Sequence, residues 1–368
     1  MSWRSVRLVL LTALGLSILY LLFWPVPIDP EAWTPPKRPE LVGVYEPNSA
    51  LASVERLAAG VGVGSEDVAI DLGGRIYAGY EDGRIVQFQP DGSEPQVMAE
   101  LEGRPLGMHV DGLGNLLVCV SPGGLFHISP FGQVTVLSRH FGGVPFLLAN
   151  DVDVGADGTV YFSDSSFAFS VDQTVAELME HRARGRVLAY DPATGETRML
   201  LHRLHYANGI AVSLGQRFVL VVETGKYQVR RLWLTGNREG ETDVLIDNLP
   251  GFPDGISTGA DGIFWLSLVS PRQAKLEALL PHPFLRKIVM RLPEPLRPAA
   301  GNYGFVLGLN AEGEVVHNLQ DPAAAFSQIS SVQEHDGMLY LGSLVEDAIG
   351  RLPRPGSPSP QAPKPLSP

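Results

Sequence analysis

Five stretches of 18 residues align without gaps along this chain. They are SEDVAIDLGGRIYAGYED (65–82), PLGMHVDGLGNLLVCVSP (105–122), ANDVDVGADGTVYFSDSS (149–166), ANGIAVSLGQRFVLVVET (207–224) and PDGISTGADGIFWLSLVS (253–270). Each alternates apolar and polar residues, passes a glycine-containing turn or a polar substitute for one, and enters a second apolar run. That is the signature of two strands joined by a tight turn. Most stretches are followed by a further strand pair, such as GRIVQFQPDG, GLFHISPFG, GRVLAYDPATG and VRRLWLTG. A looser sixth copy is QEHDGMLYLGS (333–343), which ends in IGRLPRP. The starts of the five lie 40, 44, 58 and 46 residues apart. Four short strands recurring about every 45 residues make an all-β, six-bladed β-propeller. It is expected over 51–352, with the strand near Ala52–Ala59 pairing into the last blade so that no sheet edge stays open.

Composition agrees with many turns and few long surface helices, with Gly 40, Pro 30 and only 18% charged residues. The balance of 28 basic against 40 acidic residues excludes nucleic-acid wrapping as a reading. One cysteine, Cys119, excludes an intrachain disulfide framework and any cysteine-rich zinc site.

Two stretches break the period. Residues 167–184 read as a short helix inserted in the third blade. Residues 271–300 read as one or two helices inserted after blade five. The second insertion is apolar and basic around Phe284–Leu292. It is a lid over one face of the propeller, a membrane contact, or a helix packed on the blade edges.

The ends lie outside the propeller. Arg4 and Arg7 precede an uncharged run from Leu8 to Trp24, and the first charges after it are Asp29 and Glu31. Residues 1–24 are therefore expected to be an uncleaved transmembrane anchor with the rest of the chain on the extracytoplasmic, periplasmic or luminal, side. A cleaved signal peptide is the alternative, but Trp24 and Pro25 sit where a small-residue cleavage site would be needed. Trp24 and Trp33 are candidates for the membrane interface. Residues 25–50 form a proline-rich spacer, and 353–368 a disordered proline-rich tail.

The second position of the repeat carries the chemistry. Down the five stretches it reads Glu66, Leu106, Asn150, Asn208 and Asp254. The first strand of each blade lines the central tunnel, so these positions converge on the axis. Singly, Asn208-Gly209 and Asp254-Gly255 read as ordinary turn dipeptides, Asn150-Asp151 as a cap or turn, and Glu66 as a solvated charge. Turn residues have no reason to share one column, however. Two carboxylates and two amides offer only oxygen ligands, which suits Ca2+ first, with Mg2+, Mn2+ or Zn2+ as alternatives. Asp151, Asp164, Glu223 and His205 are candidates to support that centre, or else ties between strands and turns.

The runs GRPLG, LANDVDV, DGTVYFSDSS, GRVLAYDPATGE, YANGIAVS, VVETGKYQVRRLWLTG, LPGFPDGI and EHDGMLYLGS resemble the strictosidine synthase-like branch of the six-bladed propellers, in matching order over residues 55–352. Its superfamily includes gluconolactonases, paraoxonases and diisopropylfluorophosphatase, divalent-metal-dependent hydrolases of lactones and esters. The resemblance implies a metal held by Glu66, Asn150, Asn208 and Asp254, with Asp254 also the general base or nucleophile. It implies a small-molecule ester or lactone as substrate, and it names no protein partner. A non-catalytic binding module with a structural metal is the second reading. Strictosidine synthase-type lyase chemistry is a third and weaker one, because Ser330 stands where the plant enzymes use a glutamate. The paraoxonase-type histidine pair is not evident. His109 is expected to pack between blades and His335 to sit in a turn.

Overall fold

The computed structural model describes residues 2–356. The chain divides into two compact units. One holds Lys37–Asp172, Ala183–Arg272 and the chain from Ala300 on; the other holds Met1–Pro36, Gln173–Arg182 and Gln273–Ala299.

The larger unit is the six-bladed β-propeller. Each blade is a four-stranded antiparallel sheet whose strands run outward in chain order. The innermost strands of blades one to six are Val68–Ile70, Arg104–Val110, Ala149–Val154, Ala207–Val212, Gly251–Thr258 and Ile329–His335. Blade six takes its outermost strand from Glu55–Leu57, which pairs with Ile349–Pro353 and closes the ring. Second strands such as Leu116–Ser121 and Phe218–Glu223 are buried throughout. Neighbouring blades cover them on both faces, which explains why they read as unbroken apolar runs rather than alternating ones. Side chains from adjacent blades interlock between the sheets. Tyr77 and Ile85 of blade one pack with Met108 and Val118 of blade two, and Trp265 of blade five packs with Val332 and Leu341 of blade six.

Two boundaries differ from expectation. The second helical insertion interrupts blade five between Phe264–Pro271 and Gly304–Leu309 rather than following it. The insertion separates the two halves of that blade, so its outer pair, Gly304–Leu309 and Val315–Asp321, lost its place in the repeat. The tail begins later than expected. Arg351, Leu352 and Pro353 continue a strand, and Pro353 stands at its end beyond the Glu55–Arg351 pairing, where a missing N–H is tolerated. The remainder of the tail expected to be disordered, from residue 357, lies outside the described residues.

The smaller unit is helical. Helix α1 spans Trp3–Phe23, and the Ser2 hydroxyl caps it by accepting from the Ser5 amide at 3.2 Å. It ends at Trp24 because Pro25 follows and disfavours helical backbone there. None of its residues is buried, and its length and mean hydropathy of 2.2 suffice to cross a membrane. Helix α2 is Thr174–Glu180, α3 is Ala274–Leu279 and α4 is Pro283–Met290. The Arg286 side chain joins three segments far apart in sequence. It donates to the carbonyls of Met179 at 2.8 Å, of Glu180, and of Glu31. Trp33 stacks on His181 with ring centroids 4.3 Å apart.

Candidate metal centre

The innermost strands do not run straight past the axis. Their pairing shifts register between Pro105 and Met108, Ala149 and Val152, Ala207 and Ile210, Gly251 and Ile256, and Ile329 and Ser331. Four of these shifts fall on the column read from the repeat, at Leu106, Asn150, Asn208 and Asp254; the fifth falls on Ser330, and Glu66 precedes a strand whose pairing is regular. A bulge re-aims the side chain it carries. The strands meet closely at these bulges. A Cβ on Gly107 would lie 2.2 Å from the Asp151 carboxylate, and one on Gly255 would lie 2.4 Å from the Ser330 carbonyl.

Glu66, Asn150 and Asn208 line one small axial cavity of about 10 Å3, room for a single water-sized occupant. Asp67, Asp151, Ser330 and Ser331 line it too. Asp254 is buried and accepts from the Asn208 side-chain amide, so the second column carboxylate joins the same cluster. Leu106, also buried, fills the second blade's place in the ring.

The two amides are held in one orientation. Ser165 spends its proton on the Ala207 carbonyl at 2.6 Å, so its oxygen can only accept, and the Asn150 amide nitrogen donates to it at 3.0 Å. Thr224 likewise donates to the Pro253 carbonyl at 2.7 Å and accepts from the Asn208 amide at 3.1 Å. Both amide nitrogens are thereby tied down. Neither Oδ1 accepts a hydrogen bond among the described residues, although Asn150 and Asn208 line the cavity.

The carboxylates stand in contrast. Glu66 is 8% exposed and its carboxylate makes no hydrogen bond among the described residues. Burial drives its pKa well above the usual range, and the charges of Asp254 and Asp67 push the same way. Burial also pushes Asp254 up to about 7, against the Asn208 hydrogen bond and the Arg104 charge. Asp67 is pushed up to about 6 by burial, opposed by its bond to the Met108 amide, and burial raises Asp151 strongly.

Asp151, expected to support the centre, and Asp67, which the sequence did not single out, both line the cavity while fastening adjacent blades. Asp67 accepts from the Val68 and Met108 amides at 2.8 Å each. Asp151 accepts from Val152 at 2.8 Å and Ile210 at 2.7 Å. Arg104 was missed as well. It contacts Glu81 at 3.3 Å and the Gly64 carbonyl at 3.2 Å, and it lowers the pKa of both Glu66 and Asp254. No periodic signal marks it.

The other candidates are placed as follows. Asp164 pairs with Arg186 and accepts from the Leu148 amide at 3.3 Å. Glu223 accepts from the His205 amide at 2.8 Å and from Gln228 at 2.6 Å. His109 lies 3.1 Å from Asp153 across the gap between blades two and three. His335 ends a strand, one residue before the turn expected to hold it. Ser330 donates to the Glu66 carbonyl at 2.6 Å.

Among the described residues, no group of three or more His, Cys, Asp or Glu side chains is arranged to hold a metal ion. The column differs from such groups in drawing half its donors from amides. Its all-oxygen donor set, with two fixed amide oxygens beside a carboxylate without a partner, fits Ca2+ and gives Zn2+ neither sulfur nor imidazole.

Comparison with known proteins gives the lineage. Family models described as strictosidine synthase and as strictosidine synthase-like, N-terminal, match residues 150–237 and 43–88. The adipocyte plasma membrane-associated protein of Bos taurus is 34% identical over 89% of this chain and 84% of its own length. The chain belongs to the strictosidine synthase-like family. Within it, the adipocyte plasma membrane-associated proteins are relatives that it matches along most of their length. Among solved structures, a gluconolactonase from Xanthomonas campestris superposes with a TM-score of 0.61 at 16% identity, over 90% of this chain and 98% of that one. A calcium-binding regucalcin from Agrobacterium tumefaciens gives 0.56 at 14%, over 81% and 90%. At these identities the two structures show a shared fold, the β-propeller.

Proposed function

We propose that this chain is a Ca2+-dependent hydrolase of esters or lactones, anchored in a membrane by α1 with the propeller on the extracytoplasmic side. The observation that carries the reading is the pair of amide oxygens, from Asn150 and Asn208, fixed beside the unpartnered Glu66 carboxylate with Asp254 at hand. Residues that bury negative charge without compensation are costly unless a cation joins them. The descriptions of the Xanthomonas and Agrobacterium proteins, as a gluconolactonase and as calcium-binding, support the same reading.

Bound Ca2+ supplies Lewis acidity toward a carbonyl oxygen and offsets the charge of the column. Asn150, Asn208, Glu66 and Asp254 would hold it. Asp254, oriented by the Asn208 amide, would take a proton from the water that attacks the carbonyl carbon and return it to the leaving oxygen as the acyl C–O bond breaks. Glu66 contributes charge and geometry. Arg104 lines a second cavity of about 420 Å3, with Glu81, Glu102 and Ser121 around it.

The size of the axial cavity favours one other reading, a binding module with a purely structural cation. A lyase of the strictosidine type has less support, because the Ser330 hydroxyl is engaged with the Glu66 carbonyl and no carboxylate replaces it. The test is hydrolysis of aryl acetates and lactones by the full chain in detergent, before EDTA, after it, and after Ca2+ is returned. Activity lost and restored is the expected result. Bound Ca2+ with no turnover on any substrate would favour the binding module, and EDTA-resistant turnover would remove the metal from the mechanism.

A further inference from the structure

Helix α4 buries a charge and exposes apolar side chains in its first turn. A helix at a water-facing surface buries apolar residues and exposes charge. In α4 and the residue after it, Arg286 is 0% exposed and Arg291 8%, whereas Phe284 is 56% exposed and Leu285 43%. The arginines are held by backbone carbonyls, although Arg286 Nε has no partner among the described residues. Arg286 donates to three backbone carbonyls, and Lys287 reaches Asp29 at 3.1 Å. Arg291 donates to the carbonyls of Leu21 at 2.9 Å and Trp24 at 2.5 Å. Those carbonyls are the free acceptors at the C-terminal end of α1, where a cation also matches the helix dipole.

That last contact sets position. Seven residues of helix span about 10 Å and the extended Arg291 side chain adds about 6 Å, so Phe284 and Leu285 lie within roughly 16 Å of the point where α1 ends. A helix lying in the plane of the headgroup and acyl boundary is reached within that distance. Phe23, Trp24 and Leu296 of the same unit are also exposed, at 72%, 61% and 66%. Exposed apolar side chains thus stand both at the end of α1 and on α4, which Arg291 ties together.

We propose that α4 lies in the interface of the bilayer that α1 crosses, with Phe284 and Leu285 entering the acyl chains. The proposal rests on the anchor reading of α1 given above. From Asp29 to Arg297 the unit carries six acidic side chains (Asp29, Glu31, Glu177, Glu180, Glu277, Glu294) and six basic ones (Arg182, Lys275, Arg286, Lys287, Arg291, Arg297). Binding is therefore hydrophobic insertion and needs no anionic lipid.

The test places an environment-sensitive fluorophore on the full chain in phosphatidylcholine liposomes, through L285C in one preparation, F284C in a second and L14C in a third. Nitroxide-bearing lipids report depth. L14C is expected to be quenched most by deep nitroxides, which checks α1 separately. L285C and F284C are expected to lose roughly half their emission to shallow nitroxides, at low and high salt alike. Water-like, unquenched emission at both 284 and 285 with L14C quenched would overturn the inference and leave the anchor standing. Unquenched emission at all three positions would overturn both.

Discussion

Two regions of this molecule bury charge, and they do so in opposite ways. In the helical unit Arg286 and Arg291 are taken out of water and every buried cation meets backbone carbonyls. At the propeller axis three carboxylates, Glu66, Asp67 and Asp254, are taken out of water beside the half-buried Asp151, and Glu66 meets no donor among the described residues. Charge in the first region holds structure together. In the second it works against structure, and a group retained at such a cost points to what binds there.

The contrast breaks most sharply at Asp254. Asp254→Asn is expected to lower hydrolysis about 10²–10³-fold in a folded protein. The same variant is expected to raise the melting temperature of the metal-free chain, because one of the mutually repelling carboxylates is gone. A variant that loses activity and stability together would mean Asp254 is only a structural tie.

At Arg286 the sign reverses. Arg286→Met leaves the carbonyls of Glu31 and Met179 without their donor, at a cost of about 3 kcal/mol. Limited proteolysis should then cut within 173–182 and 273–299 while the melting of the propeller is unchanged. Resistance equal to wild type would show that the arginine does not hold the unit together.

Acidity sharpens the comparison further. Asp254 and Asp67 hold their protons up to about 7 and about 6 in the folded metal-free chain, against an ordinary 3.8. The native state therefore binds more protons than the unfolded state between those values. Stability of the metal-free chain should fall as pH rises from about 4 to about 7. Excess Ca2+ should flatten that fall, since it favours the ionised forms. Thermal melts with and without Ca2+ across this range decide the matter, and a metal-free stability that rises over the interval contradicts the account.

The smallest expected effect is at Asn150. Asn150→Ala removes one amide oxygen and should weaken Ca2+ binding about tenfold, read by calorimetric titration.

Much of the propeller was legible because blades repeat, and repetition is visible one residue at a time. The column of Glu66, Asn150, Asn208 and Asp254 was legible for the same reason. The hydroxyls that orient the amides were not. Ser165 and Thr224 fall one place apart in the aligned stretches, so no column formed. Asp67 was hidden because its column also holds Gly107, Gly209 and Gly255, where close strand approach leaves no room for a side chain, and Asp151 stood out only as a neighbour of Asn150. The helical unit was least legible. Glu31, Met179 and Arg286 belong to three segments with no shared period, and only the three-dimensional contact joins them. The outer half of blade five was missed for a related reason, because the insertion carrying α3 and α4 pushed it out of step.

The most direct test of the central claim is a calorimetric titration of the full chain with Ca2+ after EDTA treatment, beside the Glu66→Gln and Asp254→Asn variants. The account predicts one Ca2+ per chain in the wild type and loss of that binding in both variants. A folded wild-type chain that binds no Ca2+, or variants that bind it unchanged, would contradict it.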